Sequence, residues 1–277
     1  MTLSFREQMQ RSWDRSNSFL CVGLDPMLDN FPPILRSPDN NPETINKVVF
    51  EFCRSIVDNT HRYVCAYKPQ IAHFSAISAE TALEELIYYV HQSYPGIPVI
   101  LDAKRGDVGS TAEMYARESF ERYRADAVTV NPYLGWDSIQ PFAEYKGKGI
   151  IVLCHTSNTD GSWLQEYPSS GADSVFMRVA KLVAEHDTGN MMLVMGATFP
   201  EVLGVVRQGF SDIPFLVPGV GAQGGDLKSV MDYGRSADGY GLVINSSRGI
   251  IYSSKGDDYA EAAGESAKAF ARLVAVR

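Results

Sequence analysis

One short segment of the chain places four charged side chains at the end of a hydrophobic stretch. The sequence VILDAKRGDVGSTA (99–112) carries Asp102, Lys104, Arg105 and Asp107. An aspartate and a lysine two residues apart in a partly dry site keep each other charged, because burying either one alone is very costly. Such a pair can stabilise a developing negative charge and transfer a proton, although an Asp-x-Lys pair taken alone is more often a plain ion pair at a strand end.

Two further charged residues follow predicted strands and strengthen the chemical interpretation. Side chains alternate between the two faces of a strand, so Asp102 and Lys104 share one face. Lys68 in YVCAYKPQ and Asp25 in FLCVGLDP occupy equivalent positions on their own strands. If the apolar members of these faces point into a barrel, all of these groups converge at its mouth. Arg105 has the opposite parity, so we assign it a structural or interface role.

Two loops near the end of the chain have the composition of a phosphate site. PGVGAQGGD (218–226) is rich in glycine and contains Gln223, and NSSRG (245–249) places Arg248 beside hydroxyls and backbone N–H groups. Glycine-rich loops alone are usually just tight turns. In a barrel, however, the loops after the seventh and eighth strands often hold a phosphate. The two loops together predict a small phosphorylated substrate.

Eight short apolar runs are separated by segments with helical periodicity. Each run has the length of a strand and is nearly continuous in apolar residues, as expected for strands covered on both faces. This alternation predicts an α/β fold, the (β/α)8 TIM barrel, in preference to an open doubly wound sheet, since no Gly-x-Gly-x-x-Gly follows the first run. We expect one domain over residues 1–277, with an N-terminal helix at about 2–16 and eight strand–helix units from about 19 to 277. The runs are 19–26, 63–70, 98–105, 127–135, 149–158, 191–198, 214–221 and 241–249.

Helical patterns are clearest at 42–60, 78–94 and 258–276. Another helix, STAEMYARESFERY (110–123), is expected directly after the charged segment. Ser110 and Glu113 have the spacing of a capping box, so we expect Ser110 to cap that helix.

The composition excludes several classes of protein. The formal net charge of −8 disfavours a nucleic-acid or anionic-membrane partner. No apolar run approaches the roughly 18 residues of a membrane span, and the charged N-terminal segment lacks the apolar core of a signal peptide. The four cysteines form no Cys-x-x-Cys pair, so we expect mostly buried thiols in a reducing cytoplasm, without disulfides or zinc.

The sequence offers one histidine that could take part in catalysis and no pattern typical of a metal site. His155 ends the fifth predicted strand and could act in catalysis, but the sequence identifies no partner for it. No His-x-His, His-Glu-x-x-His or acidic cluster is present, so no metal site is expected. Trp136 and Trp163 occupy loops near the predicted mouth, where loop packing is a simpler role than shielding a ligand.

With these residues in view, the chain resembles the orotidine 5′-phosphate decarboxylase family, in its longer branch. The segments that carry the resemblance are DAKRGDVGSTA, YKPQ, PGVGAQGGD and NSSRG, and together they are highly specific. The resemblance covers the chain from about residue 19 to the C-terminal helix. It implies conversion of orotidine 5′-phosphate to uridine 5′-phosphate (UMP) and CO2, the last step of UMP biosynthesis, without metal or organic cofactor.

The resemblance also implies roles for the charged residues. Lys104 resembles the proton donor to the base carbon that loses its carboxylate, and Asp102 resembles the carboxylate placed against the departing group. Lys68 resembles the lysine that bridges the aspartate and the ribose. Asp107 and Thr111 resemble the residues that reach into the partner subunit's site, which implies a homodimer.

The same resemblance implies the substrate contacts. Asp25 matches the position that binds near the ribose, and Ser157 matches the contact to the base. Gln223 and Arg248 match the phosphate grip. Compact members of the family carry glycine where this chain has Ser247, but its backbone N–H remains available, so we expect the phosphate site to be retained.

Two other functions fit parts of the sequence. Related barrels use Asp-x-Lys-x-x-Asp with magnesium to handle sugar phosphates as lyases or aldolases, but these need another carboxylate on a neighbouring strand, where this chain has Lys68. A non-catalytic barrel that binds a nucleotide is the other alternative. Binding alone would not require Asp102 opposite a substrate carboxylate, which disfavours it.

Overall fold

The strands of the chain form one parallel sheet that is nearly closed into a barrel. The computed structural model describes residues 3–36, 39, 41–168, 173–220 and 224–277. Neighbouring strands pair in the order β2-β1-β8-β7-β6-β5-β4-β3, and single bridges at Tyr67–Val99 and Gln70–Asp102 bring β2 beside β3. The strands are β1 Leu20–Leu24, β2 Ala66–Pro69, β3 Ile100–Arg105, β4 Ala127–Val130, β5 Gly149–His155, β6 Met191–Met195, β7 Phe215–Val217 and β8 Leu242–Ser246.

Helices lie between the strands and cover the outside of the sheet. They are α1 Phe5–Ser16, α2 Pro42–Thr60, α3 Ile71–Ser75, α4 Glu80–Ser93, α5 Gly109–Arg117, α6 Gln140–Ala143, α7 Ser162–Gln165, α8 Val175–His186, α9 Pro200–Gly209, α10 Leu227–Gly234, α11 Arg248–Ile251 and α12 Tyr259–Leu273. A π-helical turn, Glu118–Arg122, continues α5, and short 3-10 turns lie at Leu28–Asn30, Pro33–Leu35, Pro132–Leu134, Trp136–Ser138 and Thr159–Gly161. The predicted (β/α)8 TIM barrel is therefore confirmed, and the open doubly wound alternative is wrong because consecutive strands pair around the barrel.

Local sequence explains the helices that the periodicity predicted. α2 begins at Pro42, with the Asn41 side chain accepting the backbone N–H of Thr44 at its N-terminus. Its apolar face is buried against the barrel, as is usual for an amphipathic helix. α1 begins with a capping box between Ser4 and Glu7.

The predicted cap of α5 is wrong. The helix begins at Gly109 and its N-cap residue is Val108, so Ser110 lies inside the first turn and no side chain caps the helix. Gly109 has a φ of +56°, a conformation that glycine adopts without steric cost. The N-cap therefore lies two residues earlier, at Val108, than the Ser110–Glu113 pattern indicates.

The core lies inside the barrel and between the barrel and the helices. Every residue of β1, β2, β4, β6 and β7 is buried. All four cysteines are free and buried, including Cys53 on α2, which lies outside the apolar runs from which buried thiols were predicted. Burial raises the pKa of the Cys21 thiol to about 12. Among the described residues, no helix combines the length and the apolarity that crossing a bilayer requires.

Candidate active site

A buried carboxylate at the end of β3 is the centre of the site. Asp102 Oδ2 accepts hydrogen bonds from Lys68 Nζ at 2.7 Å and Gln70 Nε2 at 3.0 Å. Asp102 Oδ1 accepts from Lys104 Nζ at 2.7 Å and Thr129 Oγ1 at 2.8 Å. These five residues, from β2, β3 and β4 and the loop after β2, are called the Asp102 array. A carboxylate has about four acceptor positions, so the protein itself fills all of them.

Electrostatics keep the charges of the Asp102 array in place. Burial alone would raise the pKa of Asp102, but the ammonium groups of Lys68 and Lys104 outweigh it and hold that pKa well below its usual range. Burial alone would likewise lower the pKa of Lys68, yet the carboxylates of Asp102 and Asp25 raise it above its usual range. Asp102 and Lys68 are 7% and 5% exposed, so each depends on its charged partner to remain ionised.

Lys104 reaches Asp102 by a different route from the one that strand alternation predicts. The pairing of β3 with β4 is irregular between Leu101 and Arg105, and Lys104 has a φ of +48°. The predicted contact of Lys104 with Asp102 is present, but a bulge in β3 and not regular alternation directs it. The Lys104 side chain is 47% exposed, so its ammonium group lies at the open mouth of the barrel.

Arg105 has the structural role that its parity indicates. Its Nε and Nη2 donate to the carboxylate of Glu118 at 3.0 and 3.1 Å. Its guanidinium group lies 4.7 Å from the centre of the Tyr115 ring. Arg105 thus ties the end of β3 to α5 and the π-helical turn.

A second group of predicted residues lies where β1 and β8 end. Ser247 Oγ donates to Asp25 Oδ2 at 2.5 Å. Gly23 permits this approach, because a Cβ on it would lie only 2.7 Å from Ser247 Cβ. A cavity of about 430 Å³, called here the Arg248 pocket, is lined by Asp25, residues 218–220, residues 245–250, Ser266 and Phe270. Arg248 itself is exposed at its rim.

Part of the glycine-rich loop also borders the Arg248 pocket. Gly219 and Gly224 have φ values of +95° and +82°, where side chains are rarely tolerated. Gly225 packs so closely that a Cβ on it would lie 2.6 Å from Ala197 Cβ. Gln223 lies outside the described residues, so its predicted phosphate contact remains a prediction.

The end of β5 is fixed by side chains that follow it in sequence. His155 is 1% exposed, and its Nε2 lies 3.0 Å from Glu166 Oε1, the partner that the sequence did not identify. Gln165 Oε1 accepts the backbone N–H of Thr156 at 2.9 Å. The backbone oxygen of Ser157 accepts from Thr198 Oγ1 at 2.9 Å. The backbone of half-buried Ser157 is therefore held at its carbonyl, and that of the preceding residue, Thr156, at its N–H.

The tryptophans of the loops differ in their surroundings. Trp136 stacks on His186 with ring centroids 3.8 Å apart, which is the loop packing expected of it. Trp163 is 77% exposed.

The structure does not bring Asp107 and Thr111 into the Asp102 array of their own chain. Asp107 Oδ1 accepts the backbone N–H of Val108 at 2.8 Å. Thr111 is exposed in the first turn of α5. Both lie beyond the end of β3, on the surface next to the barrel mouth.

Most of the chain matches a known protein family. Residues 18–263 match the model of the family described as Orotidine 5'-phosphate decarboxylase / HUMPS family. The chain belongs to this family. Two curated relatives named orotidine 5'-phosphate decarboxylase, from Cellvibrio japonicus and Ralstonia pickettii, are each 52% identical to it over 263 residues, 94% of this chain and 94% of the relative.

A solved structure of OMP decarboxylase from Leishmania donovani is also similar. It has 37% sequence identity and a TM-score of 0.81, and the match covers 98% of this chain and 99% of that one. UMP synthase from the same organism matches with 38% identity and a TM-score of 0.82. In that case the chain spans only 57% of the length of the similar protein.

Two residues of the array in this family member were missed by sequence reasoning. Gln70 stands two residues after Lys68 in YKPQ, so its parity alone could have placed it beside Asp102. Thr129 is the one hydroxyl in the strand AVTV, and it is 1% exposed. A polar side chain in a strand buried on both faces needs a partner, and that requirement was the available signal.

Proposed function

We propose that this chain decarboxylates orotidine 5′-phosphate to UMP and CO2, the last step of UMP biosynthesis. The observation that carries the proposal is the Asp102 array, a buried carboxylate between two lysines at the barrel mouth. Relatives of the same length that are 52% identical bear the name of this activity. We further propose a cytoplasmic location, which suits four free thiols.

The chemistry follows from the needs of the departing carboxylate. Loss of CO2 leaves the bonding electron pair on a base carbon that has no electron sink. An ammonium group held beside that carbon stabilises the developing charge and then transfers its proton to the carbon. Lys104 is the proposed donor, because its ammonium group is held 2.7 Å from Asp102 Oδ1 and reaches the open mouth.

The other charges keep Lys104 in position and bind the sugar. Asp102 is proposed to face the carboxylate that leaves, and Lys68 to bridge Asp102 and the ribose. Asp25, held by Ser247, is proposed to bind a ribose hydroxyl. Ser157, at the end of β5, is proposed to contact the base.

The Arg248 pocket is proposed to hold the phosphate. Arg248 supplies a permanent charge, Gln223 an amide, and Ser247 a backbone N–H. Arg248 and Ser247 lie beside Gly219 and Gly249, whose backbone can approach an anion closely. Binding energy gained at the distant phosphate can then be used at the reacting carbon.

We propose that the active form is a homodimer in which Asp107 and Thr111 serve the neighbouring site. Asp107 is half-buried and Thr111 is exposed, and both stand apart from the array of their own chain. Large apolar side chains are exposed on the same segments and on the loop after β4, which is typical of an interface. They are Val108, Met114, Tyr133 and Leu134, with exposed fractions of 51%, 48%, 77% and 46%.

A mixing experiment tests this dimer. Lys104→Ala and Asp107→Ala are each expected to be nearly inactive. After subunit exchange, some hybrid dimers contain one undamaged site, so the mixture should recover part of the wild-type rate. No recovery after verified exchange would contradict a shared site.

The magnesium-dependent alternative is disfavoured by the donors around Asp102. Two ammonium groups occupy its oxygens, whereas a Mg²⁺ ion is bound through carboxylate oxygens that are free to act as its ligands. The non-catalytic alternative does not account for a buried charge network whose most exposed member is a lysine aimed at the mouth.

The deciding experiment follows the loss of orotidine 5′-phosphate absorbance in the presence of EDTA. We expect undiminished turnover. Loss of turnover in EDTA with recovery on adding magnesium would favour the lyase or aldolase alternative. Binding of UMP without any turnover would favour the non-catalytic barrel.

A further inference from the structure

The hydroxyl group of Thr129 makes three hydrogen bonds at the centre of the Asp102 array. Oγ1 donates to Asp102 Oδ1 at 2.8 Å. It accepts the backbone N–H groups of Ala103 at 3.0 Å and Lys104 at 2.9 Å. A hydroxyl has one hydrogen to donate and two lone pairs to accept with, so these bonds use its whole capacity. Thr129 is 1% exposed, and solvent therefore cannot replace them.

The backbone of β3 needs this hydroxyl because the strand is bulged at that point. Leu101 pairs with Val128 and Arg105 pairs with Val130, so the three residues 102–104 lie opposite Thr129 alone. A bulge of this kind interrupts the regular ladder and redirects side chains. The amides of Ala103 and Lys104 donate to the Thr129 side chain across the gap.

The bulge in turn determines where the Lys104 ammonium group lies. Lys104 has a φ of +48°, a left-handed conformation that residues with a Cβ keep only where their surroundings impose it. Its own N–H and that of Ala103 are both anchored on Thr129. With the backbone so held, Lys104 Nζ lies 2.7 Å from the same Asp102 oxygen that accepts from Thr129.

We infer that Thr129 is a positioning residue for the decarboxylation. One hydroxyl fixes the carboxylate of Asp102 and the backbone of Lys104 together, and so sets the geometry of the proton donor relative to the carboxylate. It does so from β4, without touching the substrate. The inference rests on the proposed function for the reaction that is measured, while the hydrogen bonds themselves belong to the folded chain.

Three variants test the inference. Thr129→Val keeps the size and branching of the side chain and removes only the hydrogen-bonding group. Thr129→Ser keeps the hydroxyl and removes a methyl group. Thr60→Val is the matched control, because Thr60 is 0% exposed and its hydroxyl bonds the Ile56 carbonyl at 2.7 Å and the Tyr67 hydroxyl at 2.8 Å, both outside the array.

The measurements are kcat and KM for orotidine 5′-phosphate, together with UMP affinity. Displacement of a reacting group by about 1 Å typically costs on the order of 100-fold in rate. We expect Thr129→Val to lower kcat roughly 10- to 100-fold while KM and UMP affinity change less than about threefold. Thr129→Ser should retain kcat within about threefold, and Thr60→Val should leave kcat unchanged even if it is less stable.

Several outcomes would overturn the inference. They are an unchanged kcat in Thr129→Val, an equal loss of kcat in Thr129→Ser, or an equal loss in Thr60→Val. If Thr129→Val does not fold, Thr129→Ala takes its place, with the same expected loss of kcat and the same criteria. Absence of turnover in the wild-type chain would instead refute the proposed function, so the two failures are distinguishable.

Discussion

The Asp102 array and the Arg248 pocket lie at the same end of the barrel but are built differently. All acceptor positions of Asp102 are filled by side chains from its own strand, from β2 and β4, and from the loop after β2, and the carboxylate is 7% exposed. At the Arg248 pocket, the guanidinium group is exposed. Asp25 Oδ1 there is buried without a hydrogen-bond partner among the described residues.

This contrast shows which part of the site the fold itself organises. The charged residues of the array, Lys68, Asp102 and Lys104, lie on strands, and the buried Lys68 and Asp102 depend on each other for their charge, so the array is rigid and coupled to folding. The pocket is lined by residues of the glycine-rich loop, the end of β8 and the helices α11 and α12, and its Arg248 is exposed, so removing that side chain should affect binding with little effect on folding. Removing single residues from each region should separate these two roles.

The largest effect is expected from Lys104→Ala. This change removes the proposed proton donor, and general acid catalysis typically contributes 10²–10⁴-fold. We expect kcat to fall by at least about a thousandfold while UMP still binds. Turnover assays and calorimetric titration with UMP check this. A parallel loss of rate and binding would indicate structural damage instead of a chemical role.

The free energy of unfolding should fall in Lys68→Met, in the Asp102 array, but not in a variant of the Arg248 pocket. Removing one partner of a buried ion pair leaves an uncompensated charge and typically costs about 3–5 kcal/mol. We expect the free energy of unfolding to fall by about 3 kcal/mol in this variant, measured by urea denaturation. Arg248→Ala serves as its counterpart and should leave that free energy nearly unchanged, because the side chain is exposed. An equal loss of unfolding free energy in both variants would contradict the difference between the Asp102 array and the Arg248 pocket.

Arg248→Ala should act on substrate binding. A hydrogen bond to a charged group is worth about 1.5–3 kcal/mol, which corresponds to roughly 10- to 100-fold in affinity. We therefore expect KM to rise by about that factor while kcat at saturation changes little. Steady-state kinetics measures both values. A fall in kcat with an unchanged KM would place Arg248 in the chemistry and not in binding.

The smallest expected effect is a pH dependence of the stability that the Asp102 array contributes. The pKa of Asp102 is lowered on folding, so its stabilisation is present above the unfolded value of about 3.9 and is lost as pH falls below it. The pKa of Lys68 is raised, so its stabilisation is present below about 10.4 and is lost as pH rises through the folded value.

The stability difference between wild type and Lys68→Met should therefore be flat between about pH 5 and pH 9. It should shrink toward both extremes. Chemical denaturation within this pH interval and beyond both of its ends measures the stability difference. Arg248→Ala is the control, and its stability difference from wild type should show no such dependence on pH. A difference that varies steeply near neutral pH would contradict the charges assigned to the array.

Sequence reasoning reached the eight strands and the principal charged residues because both leave local signals. Apolar runs reveal buried strands, and the parity of Lys68 and Asp102 on those strands predicts that they meet. It failed at Ser110, where the positive φ of Gly109 starts the helix earlier. Sequence reasoning also did not identify Glu166 as the partner of His155, because the chain turns back between the two residues and no short pattern predicts that turn.

Hydrophobic periodicity and residue type are properties of short segments, so they were enough to predict the barrel, its order of elements and the charges at its mouth. The bulge on which Lys104 has a φ of +48°, and the bonds from Thr129 that hold it there, could be seen only in the folded chain. A bulge depends on how two strands pair, and a side-chain hydroxyl can replace a missing ladder bond only when a neighbouring strand brings it within reach.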